Sequence, residues 1–243
     1  MRKGFTLAEV LITLGIIGVV AALVMPGLIS DYRKREYVAR LQKAVNVWNN
    51  GMALMLATDG VDYLNDTEFA RAVINSGQNY FYSGDISAKP EIANILKKYF
   101  KIARFPNPGE LYEIYKLGSG TLWAIATDPI YMADGSAYTT MNFQNLDSPQ
   151  AENLRNGGVW IDVNGKRGPN RAGRDVFWFS INQYGQLVAD HSQQSVDFGW
   201  IWNSKTWKEY ADACGEEGSP DISGVVGYGC AARIIDEGWK MNY

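Results

Sequence analysis

Apolar residues run almost unbroken from position 5 to position 29, and then the pattern changes period. The first stretch is interrupted only by Thr6, Glu9, Thr13 and small residues. At ~1.5 Å per residue, roughly 25 apolar residues make a helix long enough to cross a hydrocarbon layer of ~30 Å. Farther along, Val38, Leu41, Val45, Trp48, Met52 and Met55 are separated by alternating steps of three and four, which places them on one face of a helix. Arg35, Lys43, Asn46, Asn49 and Asn50 lie on the opposite face. The two patterns together predict one helix from Thr6 to about Ala57, bent or locally melted at Pro26 and Gly27. The second half is too short for three or four clean heptads, so its seam is expected to pack on the chain's own sheet.

Beyond the helix the periods are shorter. Asp66 precedes a short capped helix over 67–75, and Pro90 opens a second with Ile92, Ile95, Leu96 and Tyr99 on one face. Residues 105–109, Phe-Pro-Asn-Pro-Gly, break the pattern. From Leu111 onward short strands are expected at 122–127, 130–132, 138–143, 158–163, 175–181 and 185–189. Turns fall at Asp134-Gly135, Asn164-Gly165 and Tyr184-Gly185, the first two with hairpin character. The expected fold class is α+β: a long N-terminal helix, half membrane-spanning and half amphipathic, packed on an antiparallel β-sheet head. The expected segments are a leader at 1–4, the apolar helix at 5–29, its amphipathic continuation at 30–57 and the head at 58–243.

Composition adds limits. Hydrophobic residues make up 47% of the 243 residues and charged residues 20%, as in an ordinary folded domain. The net charge of −3 gives no electrostatic case for nucleic acid as a partner. Cys214 and Cys230 bracket a loop rich in Gly, Ser and Pro. In an exported protein the pair reads as a disulfide, worth about 3 kcal/mol in the chain-entropy account; in a cytosolic one it reads as two free thiols. No Cys/His cluster of zinc-binding spacing occurs.

Glu9 is the residue that most needs explaining. A carboxylate inside an apolar span is costly unless it has a partner or lies near the interface and snorkels. A removable secretory signal fits poorly: the apolar run is too long, and no small-x-small site precedes a polar start. Residues 3–11, Lys-Gly-Phe-Thr-Leu-Ala-Glu-Val-Leu, with the apolar run and Pro26 behind them, resemble the N-terminus of type IV prepilins and pseudopilins. The resemblance covers residues 2–29 and departs at Ala8-Glu9-Val10, where Ile-Glu-Leu/Val is commoner. It implies a pilin-like fold and cleavage between Gly4 and Phe5 by a prepilin peptidase on the cytoplasmic side. It also implies N-methylation of the new Phe5 amine and pairing of Glu9 with the N-terminal ammonium of a neighbouring subunit, which fixes register.

Charge flanking the span points the other way. Arg2 and Lys3 precede it, while Arg33, Lys34, Arg35, Arg40 and Lys43 follow, a bias that read alone would put the head in the cytoplasm. The leader-type motif and the cysteine pair outweigh it. The expected location is therefore a bacterial inner membrane, single-pass, with the head extracytoplasmic.

Candidate chemistry is sparse. Asp162, Asn164, Asn170 and Asp175 are oxygen donors on a Gly-rich connection between two strands, the ligand type a hard cation such as Ca²⁺ takes. Similar blocks recur in pilin-like proteins of secretion systems, some of which carry calcium. Lys166, Arg167 and the missing distal acid of an EF-hand favour instead a plain Asn-Gly hairpin with a polar connection. No G-x-S-x-G, HExxH or phosphate loop occurs, and His191 reads as an exposed structural histidine, so no enzymatic activity is expected. Trp200, Trp202 and Trp207 read as core or interface residues. At the C-terminus a short helix over 231–236 is expected, with Trp239, Met241 and Tyr243 packed back on the sheet. The resemblance implies a structural subunit of a type II secretion pseudopilus, with a type IV pilus or competence pilin as the alternative. Its partners would be copies of itself, other pilin-like subunits, prepilin peptidase, an inner-membrane assembly platform and the lipid bilayer. The reading from another class is a signal-anchored extracytoplasmic binding domain, glycan-binding for example.

Overall fold

The computed structural model describes residues 6–77, 81–82, 86, 89–107, 109–117, 122–127, 129–143, 146, 155–189, 214, 227 and 229–243. The chain falls into two compact units, residues 1–36 and 37–243. Helix α1, Leu7–Asp59, contributes to both. It extends two residues past the predicted end and continues through Pro26 without interruption, so the expected local melting does not occur. A proline removes one N–H donor, and the helical bonds on either side hold the turn.

In the first unit the apolar side chains of α1 are exposed, from Leu7 through Ile29. In the second, Val38, Leu41, Ala44, Trp48, Gly51, Met52 and Met55 are buried, which is the predicted seam with Val45 at its half-buried margin. Gly51 belongs to that seam for a steric reason: a Cβ there would lie 2.4 Å from the Phe100 ring. Trp48 sits at the centre. Its ring meets Tyr138 edge-on at 5.5 Å and Phe100 at 5.6 Å, and its Nε1–H donates to the Gly185 carbonyl at 2.8 Å. Asn49, predicted on the polar face, is half-buried, and its Oδ1 accepts from the Leu187 N–H at 2.9 Å.

Two short helices follow, α2 at Glu68–Asn75 and α3 at Pro90–Tyr99. Thr67 rather than Asp66 caps α2; its hydroxyl accepts from the Ala70 N–H at 3.1 Å. The strands are β1 Phe81–Tyr82, β2 Ile102–Arg104, β3 Leu111–Tyr115, β4 Leu122–Thr127, β5 Ile130–Met132, β6 Ala137–Phe143, β7 Arg155–Asp162, β8 Val176–Asn182 and β9 Leu187–Val188. Among the described residues one antiparallel sheet runs β2-β5-β6-β7-β8-β9, with β1 paired to β6, and β3 and β4 form a separate two-stranded ribbon. The six predicted strands are present; β1, β2 and β3 are additions, two or three residues long in the first two cases.

Asp134-Gly135 makes the expected tight turn, with Gly135 at φ 91°. Asn164-Gly165 does not make a hairpin. It opens a short 3₁₀ turn, Gly165–Arg167, at the start of a connection of 13 residues between β7 and β8 (163–175). Strand β8 is buried along nearly its whole length, and helix α4, Cys230–Asp236, packs against it. Cys214 and Cys230 are joined in a disulfide, which ties the start of α4 to the segment before it. Met241 and Tyr243 are buried, and the Tyr243 hydroxyl donates to the Gly173 carbonyl at 2.7 Å.

Candidate functional site

Two places concentrate polar groups where the sequence singled them out. The first is the start of α1. The Thr6 N–H donates to Glu9 Oε2 at 2.8 Å, the Thr6 hydroxyl donates to the same oxygen at 2.9 Å, and the Glu9 N–H donates back to Thr6 Oγ1 at 3.2 Å. This is a reciprocal capping box, written in the sequence as Thr-x-x-Glu, and it gives Glu9 a partner within its own chain besides the neighbour's ammonium expected for it. The carboxylate also lies in the first turn, where the helix dipole favours negative charge. Thr13, the next polar residue, donates its hydroxyl to the Glu9 and Val10 carbonyls at 2.9 and 3.0 Å, so it too is satisfied within the helix. From Leu14 to Ile29 the helix is apolar on all sides, and the apolar run is long enough to cross a membrane. Gly4 and Phe5 lie outside the described residues, as do His191, Trp200, Trp202 and Trp207.

The second place is the β7–β8 connection. Asp162 ends β7 and Asp175 precedes β8; both side chains are fully buried. The structure brings all four predicted oxygen donors into one network. Asp162 Oδ1 accepts from the Asn164 N–H at 2.8 Å. Asp175 accepts from the Arg171 N–H at 2.6 Å, the Asn170 N–H at 2.9 Å and the Asn164 side-chain amide at 3.3 Å. Tyr112 on β3, which the sequence did not mark, donates its hydroxyl to Asp162 Oδ2. Burial, and then the neighbouring Asp175 charge, push the Asp162 carboxyl well above the usual carboxylate range. Burial raises Asp175 as well, against the backbone N–H groups of Arg171 and Asn170. The amide oxygens of Asn164 and Asn170 are buried without a hydrogen-bond partner. Among the described residues no group of three or more His, Cys, Asp or Glu stands ready for a metal. The donor set here is two carboxylates and two amide oxygens, which fits a hard oxygen-seeking cation and not zinc.

Beside this network Glu110 gathers four donor residues, one of them Asn107, whose backbone N–H donates to Oε2 at 3.1 Å. Arg104 approaches it with two nitrogens at 2.7 and 2.9 Å, Lys166 at 2.6 Å and the Tyr131 hydroxyl at 2.9 Å. Arg104, followed by Lys166, holds the Glu110 carboxyl far below the usual range. Lys166, an unwanted cation in the calcium reading, is thus directed at Glu110.

Residues 1–25 match the family model described as the prokaryotic N-terminal methylation motif. The chain carries the signature of type IV pilin-like proteins. No characterised protein and no solved structure matches it. The motif covers the capping box and most of the exposed apolar helix. The arrangement of long apolar helix and antiparallel sheet is that of a pilin-like protein.

Proposed function

We propose that this pilin-like chain is a structural subunit of a type II secretion pseudopilus. The observation that carries the reading is the methylation motif on a helix whose apolar residues are exposed from Leu7 to Ile29. Such a surface is stable in lipid or against like helices, at about 25 cal/mol per Å² of apolar area removed from water. In this reading prepilin peptidase cuts between Gly4 and Phe5 and the new amine is methylated. The subunit waits in the inner membrane with its head outside the cytoplasm, and an assembly platform extracts it into the filament with copies of itself and other pilin-like subunits. Glu9 then exchanges its Thr6 contacts for a neighbour's terminal ammonium, a pairing costly to misalign where water is excluded. The Cys214–Cys230 disulfide supports an oxidising compartment for the head. Mass spectrometry of the mature N-terminus tests the reading: a chain starting at N-methylated Phe5 is expected. An intact Met1, or a cut after residue 25, overturns it in favour of a signal-anchored binding domain. Deleting the gene separates pseudopilus from type IV or competence pilus: loss of protein secretion is expected, and loss of surface filaments or DNA uptake with secretion intact supports the alternative.

We also propose that the β7–β8 connection takes Ca²⁺, with Asp162 and Asp175 supplying charge and Asn164 and Asn170 supplying amide oxygens. The support is the pair of buried, mutually repelling carboxylates next to two unpartnered amide oxygens. A bound cation at 100-fold above its Kd stabilises a fold by about 2.7 kcal/mol. The melting temperature should therefore rise with added Ca²⁺ and fall again with chelator. No shift at millimolar Ca²⁺ sinks this part of the proposal and leaves the filament reading untouched.

A further inference from the structure

The two pairs of oxygen donors in the β7–β8 connection are held by different parts of the chain. Asp162 ends β7 and Asn164 follows it closely, so the sheet fixes that pair. Asn170 and Asp175 sit on an arc, residues 170–175, outside the strands. Asn170 holds φ at 51°, a conformation that a residue with a side chain keeps only where its surroundings fix it. The arc is fixed from two sides. On one, the Tyr115 N–H of β3 donates to the Asn170 carbonyl at 2.8 Å, and the Ala172 N–H donates to the Tyr115 carbonyl at 2.9 Å.

On the other side stand residues from the region 227–243. Gly173 turns at φ 88°, and a Cβ there would lie 2.5 Å from Cys230 Sγ. The disulfide sulfur therefore fills the place of a side chain against the arc. A Cβ on Gly227 would lie 2.7 Å from the Ala172 Cβ. The Gly173 carbonyl accepts from the buried Tyr243 hydroxyl at 2.7 Å. The residues that meet these groups adjoin Arg171, whose N–H and that of Asn170 hold the Asp175 carboxylate at 2.6 and 2.9 Å. A shift of the arc moves Asn170 and Asp175 against Asp162 and Asn164. A Ca²⁺ ion takes its oxygens at ~2.3–2.6 Å, so the two pairs must keep their relative placement for all four to reach it.

We propose that the Cys214–Cys230 disulfide and Tyr243 are positioning groups for the cation site. They hold the 170–175 arc in its ligating geometry, so the oxidised chain binds Ca²⁺ more tightly than the reduced chain. Linkage makes the effect reciprocal: a bound cation protects the disulfide by the same factor. Full affinity then belongs to a head that has reached an oxidising compartment. The inference rests on the calcium reading above.

Calorimetric titration of the full chain in detergent with Ca²⁺ reads the Kd of the oxidised and the dithiol-reduced forms. In the reduction the S–S bond takes up two electrons and two protons to give two thiols, and the dithiol becomes its cyclic disulfide. The Kd should weaken at least about fivefold, the low end of ordinary coupling between sites. Against glutathione, saturating Ca²⁺ should lower the reduction constant by the same factor. In the oxidised protein Y243F, which loses only the hydroxyl donated to Gly173, should also weaken the Kd. Y138F, which loses a buried hydroxyl bonded to the Ala44 carbonyl, should not. Cooperative melting without Ca²⁺ shows that each form is folded; if reduction unfolds the head, Y243F against Y138F decides. An unchanged Kd on reduction of the folded head, or in Y243F, overturns the proposal and leaves the calcium reading standing. Equal weakening in Y243F and Y138F overturns it as well, because the loss then follows stability and not the arc. Absence of Ca²⁺ binding by the oxidised wild type overturns the calcium reading itself, and the two failures are distinguishable.

Discussion

Helix α1 is apolar in both of its halves, but the halves differ in how the apolar residues are arranged. Up to Ile29 they occupy every side, and residues such as Leu7 at 80% and Leu23 at 77% remain exposed. From Val38 they keep to one face, and Leu41, Trp48, Met52 and Met55 are at most 1% exposed. The half with a period is completed by the chain's own sheet; the half without one stays exposed, with no complement among the described residues, and is the half the filament reading gives to lipid or other copies. Periodicity, more than hydrophobicity, separates a surface made for the chain's own core from one made for assembly.

The comparison predicts separable failures. Glu9→Ala should abolish filament formation, a loss of two orders of magnitude or more in assembled material by electron microscopy and shear fractionation, with the head's melting unchanged; normal filaments from this variant would break the proposed register role. Trp48→Ala, on the periodic half, should do the opposite first. It should cost the head about 3–5 kcal/mol in urea unfolding, since a fully buried ring and its bond to Gly185 are lost together. Replacing Cys214 and Cys230 with serine should cost about 3 kcal/mol, read in the same way, and leave membrane insertion unaltered. The smallest effect expected is acid sensitivity through Glu110. Its folded carboxyl lies below its unfolded value of ~4.3, so the stabilisation is present above that pH and is lost as the pH falls beneath it. The urea midpoint of wild type should drop more steeply below pH ~4.5 than that of Glu110→Gln. Parallel curves would show that Arg104 and Lys166 contribute nothing through this carboxylate, as exposed ion pairs frequently do not.

Much of this was legible because it is periodic or local. The helix, its seam, six strands and helix α4 follow from spacing and turn residues. Three things were not. Thr-x-x-Glu at a helix start is a capping signal, but a charge inside an apolar run equally signals a group that needs a partner elsewhere, and the local pattern does not rank the two. Asn164-Gly165 carries hairpin chemistry, yet Asp162 and Asp175 bind backbone N–H groups across the connection and hold it open as a longer loop. Tyr112 reaches Asp162 from a strand 50 residues earlier, and no local pattern encodes such a contact. The four oxygen donors picked from one stretch of sequence do meet in space, because that stretch is short and its ends are fixed by β7 and β8.

A subunit of the proposed filament must also suppress the wrong polymer. Strand β9 ends the sheet among the described residues, and a free strand edge is a template for adding strands from other molecules. Asn49, on the face of α1 expected to meet only water, takes the Leu187 N–H of that strand for itself. One side-chain amide thereby occupies a donor that amyloid-like growth would use, while the apolar residues of α1 from Leu7 to Ile29 stay exposed for the ordered growth proposed above.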